Sequence, residues 1–368
     1  MFEGEMSDLV PVRRRRLSRW LQWGASALVL AMLVRALMQA DLPRAIALIR
    51  RAGPAVGFVL APFMITMLLD TVAWRRVFAL IRRDVPFVRL LAVRLTGEAV
   101  LMSLPAGAVF AESLNPVLLR NLCGVPIAES LVTTTAKRWL VMRAQVLYIL
   151  LSGVLGYRFL RDASVALIGS RGLPFIVLAS ALLPLVLSTL LASMLGGGAV
   201  VKRLLGHLRR VPVARFRAWL DRRHEGFAAA DARFGELGAH SHATILGPTL
   251  LVFAGWLMES VETMLILLVL GTRVGFSEVI AFEAALGLIR SLAFFVPSGL
   301  GIQDLGYMAF FQAFGLPDAT ALGAAFVLVK RAKELVCIVI GYALLFVARH
   351  VQPVALVPET PREEGVRG

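Results

Sequence analysis

The chain has 368 residues, is 58% hydrophobic and has a mean hydropathy of +0.77, which excludes an ordinary soluble domain and points to a polytopic membrane protein. Its formal net charge of +15 does not signal nucleic-acid binding, because the basic residues gather in short segments between apolar runs, as the positive-inside rule requires. The two cysteines, Cys123 and Cys337, match no metal-ligand or redox spacing and read as free, buried thiols.

Residues 1–18 form a basic N-terminus, with Arg13 to Arg16 in a row, ahead of an apolar run from about Trp20 to Met38. That run exceeds the 7–15 or so residues of a cleaved signal segment, so it reads as a first span with a cytoplasmic N-terminus. Asp41 to Arg51 spaces apolar and basic residues as a short interfacial helix would, with an ordinary loop as the alternative. Gly53 to about Leu80 is the second span and returns to the cytoplasmic cluster Arg75, Arg76, Arg82 and Arg83. Phe87 to Leu104 is apolar but carries Arg89, Arg94 and Glu98, and it ends in Leu104-Pro105-Ala106-Gly107, a helix break. Pro126 opens a third span to about Tyr157, Arg158 to Arg171 read as an outer loop, and Leu173 to Leu195 is the fourth span.

The segment 196–243 is basic and polar, and it is expected to lie in the cytoplasm against anionic headgroups. Thr244 to Leu270 is the fifth span, Phe276 to Val296 leads into a second break at Pro297-Ser298-Gly299-Leu300-Gly301, and Leu316 to about Val347 is the sixth. A polar cytoplasmic tail, 349–368, closes the chain.

Two stretches repeat in order. Pro105-Ala106-Gly107 through Gly124 parallels Pro297-Ser298-Gly299 through Gly315, each has an acid seven residues past its proline, Glu112 and Asp304, and each precedes a long helix with a central basic pair, Lys137-Arg138 and Lys330-Arg331. The predicted fold is an all-α polytopic membrane protein built as an inverted repeat. Each half (repeat one 19–157, repeat two 172–348) has three transmembrane helices plus one re-entrant Pro-x-Gly hairpin. The second hairpin arms, Ala111 to Cys123 and Ile302 to Phe314, are each 13 residues, roughly 20 Å as helix, too short to cross a core of about 30 Å upright.

Lysine or arginine at a helix centre costs about 2.5 to 3.5 kcal/mol on insertion scales, so Lys330, Arg331, Lys333 and Glu334 must face protein or water. Lys330, Lys333 and Glu334 share one helical face, Thr134, Arg138 and Gln145 form a polar stripe on the matching helix, and Asp70, Glu259, Glu262, Glu283 and Arg290 add ionisable groups within spans. The acids read either as partners that neutralise these cations or as functional groups. A cation cluster beside a Gly-rich turn with free amides suits a lipid phosphate. The expected substrate-binding residues are therefore Glu112, Arg138, Glu259, Arg290, Pro297, Gly299, Gly301, Asp304, Lys330, Arg331, Lys333 and Glu334.

Pro105-Ala-Gly with Glu112, Gly124, Lys137-Arg138, Trp256 with Glu259, Pro297-Ser-Gly-Leu-Gly-Ile-Gln-Asp and Lys330-Arg331 with Glu334 together resemble the flippase-like transmembrane region of lysylphosphatidylglycerol synthases, over nearly the whole chain. Asp304 stands where that family usually has glutamate, and Val141 where many members have aspartate. The resemblance implies lipid translocation between leaflets by a free-standing member without the synthase domain, a type that includes hopanoid-associated proteins.

The leading expectation is a translocase or carrier of the bacterial inner membrane, not an enzyme and without a cofactor. It would bind an anionic lipid, a phospholipid or polyprenyl-phosphate, between the halves, with both termini cytoplasmic. The alternatives are hopanoid export, an intramembrane transferase using Glu112, Asp304 or Glu259 as general base, and a scaffold that assembles lipid-synthesis enzymes. No P-loop, His-Glu-x-x-His or Gly-x-Ser-x-Gly marks a donor site for a transferase.

Overall fold

The computed structural model describes residues 42–196, 242–292, 296 and 299–350. The expected first span, most of the basic segment 196–243, Pro297 and all but the first two residues of the tail lie outside them. The described residues form twelve α-helices: α1 Leu42–Ala52, α2 Leu60–Leu80, α3 Phe87–Ser103, α4 Gly107–Cys123, α5 Ile127–Leu155, α6 Tyr157–Ile168, α7 Leu173–Ser180, α8 Leu182–Gly196, α9 His242–Val269, α10 Phe276–Leu292, α11 Ile302–Ala313 and α12 Ala319–His350.

Four stretches of these residues are long and apolar enough to cross a bilayer: Leu42–Leu80, Ile127–Leu155, Leu173–Ser193 and Thr244–Val269. The distribution of side chains agrees with lipid as the outer solvent. Leu182, Leu183, Val186 and Leu190 on α8, and Leu335, Val339, Phe346 and Val347 on α12, are exposed, whereas Asp70, Lys137, Glu262, Glu283, Asp304, Lys330 and Lys333 are buried. A protein in water would reverse that arrangement. In α12 the inward stripe is Lys330, Lys333, Glu334, Cys337 and Gly341, the three-to-four spacing of one helical face.

Several elements differ from the sequence expectation. The short helix expected after the first span forms, as α1, but a 3₁₀ turn at Gly53–Val59 joins it directly to α2, and Arg44 pairs with Asp318 at the start of α12. The segment after α5, expected as a loop, is helical, as α6, whose Arg158, Arg161 and Asp162 are exposed while Leu160 and Ala163 are buried, an amphipathic pattern hidden by its short length. The fourth span is interrupted at Ala181 into α7 and α8. Cys337 is buried and Cys123 only partly so.

The first helix break is where the proline predicts. Leu104, preceding Pro105, is extended, as the ring demands, so α3 stops at Ser103. Ala106 then takes a left-handed conformation and α4 starts at Gly107, four residues earlier than expected. The arm is therefore 17 residues, roughly 25 Å by helical rise, and longer than predicted; Pro116 sits inside it without ending it. In the second hairpin α11 starts at Ile302 as expected and has 12 residues, one fewer than the expected 13.

The elements recur in the same order on either side of the middle segment: α2, the α3–α4 pair and α5, then α9, the α10–α11 pair and α12. α2 packs along α9, α3 along α12 and α10 along α5, so each hairpin's first arm lies against the long helix of the other half. Thr66 of α2 donates to the Gly255 carbonyl of α9 at their crossing. Gly341 permits the α3–α12 approach: a Cβ there would lie 2.4 Å from Ala99 Cβ and 2.7 Å from the Leu95 carbonyl oxygen.

Candidate functional site

Between these pairs lies a cavity of about 410 Å³ whose walls come from both halves. Glu112, Asn115, Lys137, Arg138 and Gln145 line it from the first half, and Trp256, Glu259, Glu262, Arg290, Lys330 and Glu334 from the second. Of the twelve expected site residues it gathers Glu112, Arg138, Glu259, Arg290, Gly299, Lys330 and Glu334; Gly301, Asp304, Arg331 and Lys333 do not line it, and Pro297 is outside the described residues.

The second-half cations are already partnered. Arg290 Nη1 donates to Glu259 at 2.8 Å. Lys333 Nζ donates to both oxygens of Glu262, at 2.8 and 3.0 Å. Arg331 bridges α11 and α12, donating from Nη2 to Asp304 Oδ1 at 2.8 Å and from Nη1 to Glu334. Asp304 also accepts the Gly301 amide at 2.8 Å, capping α11 at a residue with φ +83°, open to glycine and hard for other residues. The acid and one residue of the basic pair singled out in the repeat, Asp304 and Arg331, thus meet, because α11 packs against α12. Lys330 Nζ donates to Tyr307 Oη at 2.7 Å and sits 3.9 Å from both Glu262 and Glu283.

The first half differs. Arg94 grips Asp70 through Nε and Nη2, at 3.0 and 2.9 Å, and also donates to Glu98. Arg138 is 4.0 Å from Glu112, and both side chains are substantially exposed to the cavity. Lys137, at the position equivalent to Lys330, is 9% exposed and makes no ion pair or hydrogen bond among the described residues; its Nζ lies over the Trp74 ring, 4.4 Å from the centroid. Asn115, also buried, likewise makes no side-chain hydrogen bond among the described residues. The buried Thr134 hydroxyl, one turn before Lys137, has no partner either.

A family model described as the lysylphosphatidylglycerol synthase transmembrane region matches residues 20–341. The chain belongs to that family. It is a membrane protein of this family with apolar spanning helices, and no curated protein and no solved structure matches it. The family match runs across both hairpins and both long helices, so the cavity lies wholly within the matched region.

Lys137, Asn115 and Tyr307 were not singled out as separate candidates from the sequence. Lys137 was visible as half of a basic pair, but its lack of a partner depends on what α2 and α4 bring to it. Asn115, three residues past Glu112 on the hairpin arm, carried a helical-face signal toward the same side.

Proposed function

We propose that the protein is a lipid translocase or carrier, in which an anionic headgroup enters the cavity between the halves while its acyl chains stay in the bilayer. The volume lies within the range of about 300–1,000 Å³ usual for small-ligand sites, adequate for a headgroup and insufficient for the whole lipid. The observation that carries the reading is Lys137. A buried ammonium without a directly paired carboxylate is costly, and lining a cavity beside an unsatisfied amide and a loosely held guanidinium suits it to an external anion.

On this reading Lys137 supplies a point charge to the headgroup phosphate, Asn115 a neutral donor and Arg138 a fork that exchanges Glu112 for phosphate. Lys330, Glu259, Arg290, Glu334 and the Gly299 turn form the opposite wall. Arg331, Lys333, Asp304 and Gly301 hold the hairpin and helices in register and are positioning residues. The two halves act as an inverted repeat of three spans and a re-entrant hairpin each, and the α3–α12 and α10–α5 contacts are the surfaces on which they rock. The arginine clusters favour the inner membrane of a bacterium with both termini cytoplasmic.

Phospholipids and polyprenyl-phosphates both satisfy Lys137. A hopanoid has no obligatory phosphate and leaves it unpaired, so hopanoid export is the weaker reading. The test is reconstitution into liposomes with fluorescent lipids in one leaflet: exchange above the protein-free rate supports translocation, and none with any lipid refutes it.

A further inference from the structure

The second-half cluster contains one more acid than base among the described residues: Glu259, Glu262, Glu283, Asp304 and Glu334 against Arg290, Lys330, Arg331 and Lys333. Four of the acids hold direct hydrogen bonds from a cation. Glu283 does not. Its Oε1 accepts from the Tyr307 hydroxyl at 2.7 Å and from Thr263, the nearest cation is Lys330 at 3.9 Å, and its Oε2 is buried without a partner. A full negative charge there is held by two neutral hydroxyls and a distant ammonium, which is little compensation for a group 3% exposed.

Glu283 is nevertheless wired to the cavity. A phenol oxygen has one proton and two acceptor positions. At Tyr307 the acceptor positions are taken by Lys330 Nζ at 2.7 Å and Gln303 Nε2 at 3.1 Å, which directs its proton to Glu283. Lys330 lines the cavity and Glu283 does not. The charged and titratable groups facing Glu283 come from each neighbouring helix: Tyr148 of α5, Glu259 and Glu262 of α9, Tyr307 of α11 and Lys330 of α12. The titratable residues of α6 are exposed, and α7 has none.

We propose that Glu283 is a proton-binding site that exchanges with the cavity through Tyr307 and Lys330, coupling the transport cycle to proton movement. The coupling rests on the translocase reading; the proton site does not. In the transfer, the Tyr307 proton passes to Glu283 Oε1 as Lys330 gives one to Tyr307 Oη. Lys330 is left neutral and regains a proton from cavity water, so the cluster gains one proton and one positive charge. Rotation of the carboxyl then carries the new O–H to the vacant Oε2 side and presents a bare oxygen to Tyr307 again.

The test uses the full-length protein in liposomes, as wild type, Glu283→Gln and Tyr307→Phe. Infrared spectra at neutral pH should contain the carbonyl stretch of a protonated carboxylic acid in wild type and in Tyr307→Phe, and lose it in Glu283→Gln. Absence from wild type, or persistence in Glu283→Gln, overturns the proton site. With one proton moved per anionic lipid, an imposed gradient shifts the wild-type leaflet ratio about tenfold per pH unit. The shift should vanish in Glu283→Gln, with exchange continuing, and develop more slowly in Tyr307→Phe. Wild-type exchange indifferent to the gradient overturns the coupling and leaves translocation standing; no exchange of any lipid refutes translocation and coupling together, while the infrared band still decides the proton site.

Discussion

Replacing Lys137 with methionine should make the lipid-free protein at least as stable as wild type, whereas the same change at Lys333 should weaken it severely. Lys137 has one direct contact for its charge, the cation–π contact with Trp74 worth about 0.5–2 kcal/mol, while the through-space attraction of Asp70, Glu112 and Glu98 is opposed by Arg94; against these stands part of the 2.5–3.5 kcal/mol or so charged to a cation within a span, reduced by its contact with the cavity. Its removal is therefore expected to leave stability unchanged or raise it by about 1 kcal/mol. Lys333 holds Glu262 at 2.8 and 3.0 Å, and removing one member of a buried pair costs about 3–5 kcal/mol. Denaturant unfolding in detergent micelles, read by tryptophan fluorescence, compares the two. Added anionic lipid at a hundred times its dissociation constant should stabilise wild type by about 2.7 kcal/mol and leave Lys137→Met unmoved. A Lys137→Met variant as unstable as Lys333→Met would mean that the lysine is already satisfied within the protein, and the reasoning for an anion site would fail.

Three further changes probe the frame. Gly341→Ala drives a Cβ onto Ala99 and the Leu95 carbonyl where α3 meets α12, and should lower stability by about 1–3 kcal/mol, seen as an earlier unfolding midpoint. Arg331→Lys loses the two-nitrogen grip on Asp304 while keeping the charge, so about 1–3 kcal/mol should be lost and protease sensitivity should rise around the second hairpin. Tyr148→Phe removes a buried hydroxyl bonded to Ser260 at 2.7 Å and should cost only about 1 kcal/mol, with lipid exchange unchanged.

The fold was legible where a residue type forces its own backbone. Pro105 ends α3, Gly301 opens α11, and the apolar lengths of α5 and α9 follow from composition. Residues 157–168 were less so, because a short amphipathic helix of about three turns between two spans resembles a loop in charge. The start of α4 also escaped, since Ala106 takes a left-handed conformation that glycine would have advertised. At the site, the repeat marked Asp304 and Arg331 as matching positions of Glu112 and Arg138, and the fold brings Asp304 onto Arg331, a contact the repeat did not specify. The asymmetry between Lys137 and Lys330 was not readable: Lys330 is satisfied by Tyr307 and flanked by Glu262 and Glu283, residues 23 to 68 positions away, whereas among the described residues the direct contact of Lys137 Nζ is with the ring of Trp74, 63 positions away. Periodicity along one helix says which face is polar. It does not say what the opposing helices bring.

Leaflet exchange measured side by side for a phosphate-bearing anionic lipid and a neutral lipid, in liposomes containing wild type or Lys137→Met, bears on the central claim most directly. Rapid exchange of the anionic lipid by wild type, little exchange of the neutral one, and loss of anionic exchange in a folded Lys137→Met protein are the expected results if Lys137 receives the headgroup. Equal exchange of both lipids, or an undiminished rate in the variant, would contradict it.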